Sequence, residues 1–141
     1  MNHSARDVMT KELVTLSPST TSEEAIEVLL KHKISGAPVV ESDGTLAGIV
    51  SEYQLLAVIY DDGFKSQPVE ELMTQEVLTV DEGTSLTEIA NLFIMHRIRR
   101  LPVLHDGELV GQISRRDIIR FAIQTRNAVT EDVVAVSGAV G

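Results

Sequence analysis

The chain is written twice. An offset of 64 residues aligns its two halves, slipping to 63 ahead of the Asp-Gly pairs at 43–44 and 106–107. In register are Met9-Thr10 with Met73-Thr74, Glu12 with Glu76, Thr15 with Thr79, Thr20 with Thr84, and Glu24 with Glu88. Further along, His32 matches His96, Pro38-Val39 matches Pro102-Val103, Gly48 matches Gly111, and Ser51 matches Ser114. A repeat of this period means one supersecondary unit used twice. A unit of about 60 residues buries too small a share of its surface to be very stable alone, so two copies stacked on a shared core are expected.

Each copy spells the same order of elements. "LVTL" (13–16) and "VLTV" (77–80) are short β-prone stretches. A capping box follows, Thr21 to Glu24 in copy one and Ser85 to Glu88 in copy two. Behind it run helical stripes, Ala25, Ile26, Leu29, Leu30 and then Ile89, Ala90, Leu92, Phe93. "APVVESDGTLAGIVS" and "LPVLHDGELVGQIS" each read as two strands joined at Asp-Gly, and a second amphipathic helix starts at Ser51 and Ser114. The fold class expected is α/β (α+β), two tandem β-α-β-β-α units packed as a pseudo-two-fold pair. The units span 1–62 and 69–125, with a polar linker at 63–68 and a tail at 126–141 that either frays or pairs with a partner.

Composition narrows the function. The 43% apolar content suits a globular core, and the scarcity of aromatics makes that core aliphatic. With no cysteine there is no disulfide, thiolate metal site or cysteine nucleophile, which fits a cytoplasmic location. No apolar run approaches a membrane span and no targeting segment opens the chain. A net charge of −9 argues against nucleic acid or an anionic membrane as partner. The distribution is uneven, however. Six arginines fall between Arg97 and Arg120 with only Asp106, Glu108 and Asp117 among them, a local excess of positive charge. It is either a set of solvated helix ends or an anion site.

The order of elements, with "DVMT…LVTLSPSTT", "HKISGAPVV", "HRIRRLPVL" and "DGELVGQISRRDI", resembles the CBS domain family over roughly residues 5–124. Two such motifs form a CBS pair, or Bateman module. The resemblance implies a regulatory module whose clefts bind adenosine-containing ligands (AMP, ADP, ATP or S-adenosylmethionine) and which tunes a separate enzyme or transporter. It also implies a flat homodimer joined through helices, for which Tyr53, Leu56, Ile59, Ile118 and Phe121 are candidate contacts. The same residues suit an intramolecular core equally.

Within the repeat, Ser114-x-x-Asp117 and Ser51-x-x-Gln54 both make good helix caps, and capping alone explains them. The family pattern adds a role. Its aspartate holds the ribose hydroxyls and its Ser or Thr helps bind ribose or phosphate. A carboxylate is acceptor-only and suits a cis-diol. Copy two matches through Gly111, Ser114 and Asp117, whereas copy one carries Gln54 at the aspartate position. One good nucleotide site and one weak one are therefore expected. The resemblance assigns to the good site Val77, Leu78, Thr79, Leu101 and Pro102 as walls, and the arginine excess adds Arg100 and Arg116 as the favoured phosphate contacts. Arg99 and Arg115 are left open between phosphate, solvent and a dimer contact. Basic residues at a helix N-terminus oppose its dipole, an objection that a bound phosphate would reverse. To the weak site belong Leu13, Val14, Thr15, Ala37, Pro38, Ser51 and Gln54. All of these wall positions also read as plain core strand.

Two other readings are set aside. His32 and His96 sit where histidine favours a helix C-terminus, without further ligands at metal spacing, so no metal site is expected. No nucleophile elbow and no GxxxxGK[ST] loop is present, so the chain is expected not to be an enzyme and to require no cofactor. A ligand-free interaction module with a vestigial pocket remains the alternative.

Overall fold

The structure, a computed structural model, describes residues 3–137, and side chains through 126. In copy one, helix α1 (Ser22–His32) leads to strands β1 (Gly36–Val40) and β2 (Leu46–Ser51), then helix α2 (Glu52–Val58). In copy two, strand β3 (Val80–Asp81) precedes helix α3 (Leu86–His96), strands β4 (Arg100–His105) and β5 (Glu108–Ser114), and helix α4 (Arg115–Ser137). The mixed helix and strand content and the twofold order are those expected. The tail is helical in backbone as far as Ser137, and the part of that expectation at 138–141 lies outside the described residues.

Local chemistry accounts for the helix limits. Thr21 Oγ1 accepts from the Glu24 amide at 3.2 Å, and the Glu24 carboxylate accepts from the Thr21 amide. In copy two Ser85 Oγ does the same for the Glu88 amide. Both helices end on a basic residue in the left-handed region, Lys33 (φ 54°) and Arg97 (φ 50°), which stops the helix and sets positive charge at its negative end. His32 and His96 are the last residues of α1 and α3, and no cluster of three metal-ligating side chains occurs among the described residues.

The β-prone stretches yield less strand than expected. Copy one contributes only Leu16, bridged in parallel to Val39, and copy two only Val80–Asp81, parallel to β4. Residues 13–15 and 77–79 instead carry the chain from one copy to the other. The hairpins also differ. Copy two turns in two residues, Asp106 (φ 49°) and Gly107 (φ 82°), the paired positive φ of a type I′ turn. Copy one carries the extra residue implied by the slip of the repeat and needs a longer loop. The two hairpin tips then join, Leu46 and Leu109 donating to the carbonyls of Gly107 and Gly44.

Each copy keeps its own core, and each core borrows from the other copy. Ala5, from the N-terminal arm, is buried with Val80, Ile89, Phe93, Leu101, Val103 and Ile113 of copy two. Val69, its repeat equivalent, is buried with Leu16, Ala25, Leu29, Ala37, Val39, Val50 and Leu55 of copy one. The arms are pinned as edge strands. Thr10 and Gln112 exchange backbone bonds of 2.8 and 3.0 Å, and Thr74 and Ile49 exchange bonds of 2.9 and 3.0 Å. The glycines one residue away are required by this approach. A Cβ on Gly48 would lie 2.6 Å from the Thr74 carbonyl oxygen, and one on Gly111 would lie 2.6 Å from Met9 Sδ.

Candidate functional site

The arm that crosses to copy two runs past the start of α4 and makes one wall of a cleft of about 490 Å³. Its lining brings together two distant parts of the sequence. Thr10, Glu12, Leu13, Val14, Ile34, Gly36 and Pro38 come from copy one. Arg99, Arg100, Gln112, Ser114, Arg115, Arg116 and Asp117 come from copy two.

Ser114 and Asp117 make the cap in full. Asp117 Oδ2 accepts from the Ser114 amide at 2.8 Å, and the Asp117 amide donates to Ser114 Oγ at 3.1 Å. The other carboxylate oxygen, Oδ1, has only Arg120 Nη1 at 3.6 Å, too long for a good hydrogen bond. It is therefore available to a ligand while Oδ2 holds the helix. The Arg115 amide is also taken, by the Arg99 carbonyl at 3.2 Å. With those backbone donors engaged, an anion here must be held mainly by side chains. Arg99, Arg100, Arg115 and Arg116 are all exposed, and none has a carboxylate within 4 Å among the described residues.

The same cap in copy one is closed. Gln54 Oε1 accepts from the Ser51 amide at 2.7 Å, and its Nε2 donates to Thr74 Oγ1. The amide thus turns a donor, not an acceptor, toward the arm from the other copy. A neighbouring cleft of about 510 Å³ lies between the copies, lined by Ser35, Gly36, Ala37, Pro38, Ile49, Ser51 and Tyr53 with Arg97, Ile98, Arg99, Arg100, Pro102 and Gln112. It shares Gly36, Pro38, Arg99, Arg100 and Gln112 with the first.

The residues expected from sequence separate into two groups. Arg100, Ser114, Arg116 and Asp117 do meet at one cleft, and Arg99 and Arg115 join them. Val77, Leu78 and Thr79 do not line it. Their places are taken by the repeat equivalents Leu13 and Val14, because the edge of β5 is covered by the arm from copy one. Leu101 is fully buried in the copy-two core, and Pro102 opens on the neighbouring cleft. Of the residues expected at the weak site, Pro38 lines both clefts, Ala37 and Ser51 line the neighbouring one, and Thr15 and Gln54 line neither. Thr10, Glu12, Ile34 and Gln112 were not singled out from sequence. The repeated "MT" pairs, Met9-Thr10 and Met73-Thr74, were the available sign that a segment ahead of the first strand has a fixed place.

The family model for the CBS domain matches twice, at residues 5–61 and 69–124. The chain belongs to the CBS domain family. Among CBS relatives, the chloroplastic CBS domain-containing protein CBSX1 of Arabidopsis thaliana is 33% identical, the match covering 86% of this chain and 65% of that protein. This chain spans 43 to 65% of the length of three curated relatives it matches. A solved structure of CBSX2 in complex with AMP superposes with a TM-score of 0.78 at 35% identity, covering 88% of this chain and 98% of that one. The CBS domain pair of MJ0100, solved with 5′-methylthioadenosine and S-adenosyl-L-methionine, superposes with a TM-score of 0.72 at 25% identity, covering 89% and 99%. Tandem CBS motifs are thus shared by this chain and its structural neighbours, two of which hold adenosine-containing ligands.

Proposed function

We propose that this chain is a regulatory sensor that binds an adenine nucleotide in the Asp117 cleft and modulates a separate protein. The observation that carries the reading is the cleft itself, lined by four arginines without carboxylate partners among the described residues and by a capped aspartate with one oxygen to spare. Asp117 Oδ1 accepts from the ribose hydroxyls. Leu13, Val14, Ile34 and Pro38 offer an apolar slot for the base, the usual make-up of a cofactor cleft. Arg100 and Arg116 hold phosphate through charge-assisted bonds. Arg99 and Arg115 stand beside them. The adenosine ligands of CBSX2 and MJ0100 support the ligand class. The cleft lining contains no histidine or cysteine, and its aspartate is committed to a backbone amide, so the reading is binding rather than turnover.

Binding regulates through its differential affinity for two arrangements of the copies or of two chains. Thermal unfolding with AMP, ADP, ATP and S-adenosylmethionine tests the reading. A ligand at 100 times its Kd adds about 2.7 kcal/mol of stability, and Asp117→Ala abolishes the gain. Absence of any shift with wild type sinks the reading.

A second reading, a ligand-free interaction module, draws on the surface. Tyr53 (81% exposed) and Leu56 (62%) on α2 and Ile119 (60%) and Ile123 (53%) on α4 leave apolar area in solvent, consistent with a homodimer. Ile118 and Phe121, by contrast, are half-buried, Ile118 against the copy-two core and Phe121 edge-on to His3 at 4.8 Å.

A further inference from the structure

Away from the clefts, the two helix pairs carry the same exposed apolar residues in opposite electrical surroundings. Three such positions recur in the register of the repeat: Leu30 with Ile94 on α1 and α3, Leu56 with Ile119 on α2 and α4, and Tyr60, just past α2, with Ile123 on α4. Large apolar residues exposed singly need no explanation, but a set kept in both copies marks a contact surface. Charge does not follow the repeat. Residues 22–32 and 52–63 hold six acids, Glu23, Glu24, Glu27, Glu52, Asp61 and Asp62, against one cation, Lys31. The matching windows, 86–96 and 115–126, hold Arg115, Arg116, Arg120 and Arg126 against Glu88 and Asp117.

Position by position, Glu52 answers to Arg115, Ala57 to Arg120 and Gly63 to Arg126, while Glu23 and Glu27 answer to the neutral Thr87 and Asn91. Two positions run the other way, Lys31 against Met95 and Gln54 against Asp117, and Asp117 is partly buried at its cap. The six acids and four arginines are exposed, and apart from Arg120 with Asp117 at 3.6 Å none has an opposite charge within 4 Å among the described residues. Arg115 and Arg116 line the Asp117 cleft, which leaves Arg120 and Arg126 to the outer surface. Residues three or four apart are neighbours on a helix, so charge flanks the apolar residues directly. Glu27 stands by Leu30 and Glu52 by Leu56, whereas Arg120 and Arg126 stand on either side of Ile123.

We infer that the chain pairs with a second copy of itself in antiparallel fashion, the acidic α1–α2 face of each chain lying on the basic α3–α4 face of the other. A two-fold axis makes the contact twice, Leu56 of one chain beside Ile119 of the other and the reverse. A parallel dimer buries the same apolar residues but sets Arg120 and Arg126 against their own kind, and Glu27 and Glu52 against theirs. Like charges facing each other across an interface suppress that arrangement, and opposite ones fix the register of the antiparallel one. The pairing goes beyond the nucleotide reading and does not depend on it, since neither face needs a ligand to be complete.

The chain has no cysteine, so a single introduced one reports orientation. Full chains carrying Leu56→Cys or Ile119→Cys are treated with a short bismaleimide, each alone and then mixed, and run on a denaturing gel. A covalent dimer is expected in the mixture and not in either variant alone. A dimer that forms as readily in either variant alone overturns the inference. Sedimentation equilibrium then tests the charges. Arg120→Glu with Arg126→Glu should weaken the dimer at least about tenfold, because each exposed pair counts twice in a two-fold assembly. Glu27→Lys with Glu52→Lys should weaken it similarly, and all four substitutions together should restore it, the signs being exchanged but again opposite. Raising the salt should weaken the wild-type dimer. Unchanged far-ultraviolet circular dichroism of the variants separates lost contact from lost fold. A wild type that sediments as a monomer at every concentration, or a dimer that neither pair of substitutions weakens, overturns the inference, and so does a fourfold variant no tighter than the two doubles.

Discussion

Copy one and copy two share a plan and differ in what fills it. At equivalent core positions copy two has Ile89 for Ala25, Phe93 for Leu29, Leu101 for Ala37 and Ile113 for Val50. Copy one is larger only where it has Leu16 for Val80 and where its borrowed residue is Val69 rather than Ala5. The copy with the arginines and the available carboxylate oxygen is also the copy with the bulkier core. The difference teaches that a repeat can be kept for its frame while its two ends take separate duties. In copy one the helix cap is closed off by Gln54 and Thr74, and in copy two the same cap leaves an acceptor facing a cleft.

The largest effect should come from the cores. Leu101→Ala is expected to cost about 2–5 kcal/mol in urea unfolding, the range for deleting a buried leucine side chain. Its mate already has alanine, and Ala37→Leu should cost about 1–3 kcal/mol by overpacking. If Ala37→Leu were neutral, copy one would have slack that the buried Ala37 does not suggest.

The glycines of the crossing points come next. Gly48→Ala should destabilise by about 1–3 kcal/mol, since its Cβ meets a backbone oxygen at 2.6 Å that can move only with the arm. Gly111→Ala meets a flexible Met9 side chain first and the Thr10 oxygen at 3.1 Å, so its cost should be smaller. Equal costs would mean that both arms shift with equal ease.

The caps give a matched pair. Asp117→Ala and Gln54→Ala each remove a side chain that accepts from the N-cap amide, and each should cost about 0.5–2 kcal/mol. Only Asp117→Ala should also abolish nucleotide binding, read by the ligand-dependent melting shift. Loss of binding in both variants would make the two clefts one coupled site.

The smallest effect lies at a hairpin tip. Thr45 donates to Asp43 Oδ1 from its hydroxyl at 2.7 Å and its amide at 3.0 Å, which holds the Asp43 carboxyl below its ordinary range. A depressed folded-state value contributes stability above the unfolded aspartate range, lost as the pH falls through the folded value. Thr45→Val should move the Asp43 titration upward when followed by NMR, with hardly any change in unfolding because the group is fully exposed.

The repeat, the capping box of α1, the Ser85 cap of α3 (without the reciprocal Glu88 bond of a full box), and the copy-two hairpin turn at Asp106-Gly107 were legible because each is written in neighbouring residues. Ser114, Asp117 and the arginines were legible for the same reason, lying in two short runs. The walls were not. Leu13 and Val14 repeat as Val77 and Leu78, and either pair would suit the Asp117 cleft by pattern alone. Which copy's edge receives which arm depends on the Thr10–Gln112 and Thr74–Ile49 pairings, contacts between residues far apart in the chain. Residues 13–15 and 77–79 were read as strand because β-branched residues favour it, yet an arm passing between copies has the same composition.

The crossed arms set a timetable for the chain as it emerges during synthesis. Copy one cannot close its sheet edge at Ile49 until Thr74 has left the ribosome, well after α2 is complete. Ala5 and Thr10 wait longer still, because the strand that receives them ends at Ser114. The arm at residues 5–10 is thus made before the elements that seat it, and the Asp117 cleft cannot form before that step. Contacts of such long sequence separation slow folding. A release of the arm would likewise take Thr10 from the cleft wall and Ala5 from the copy-two core.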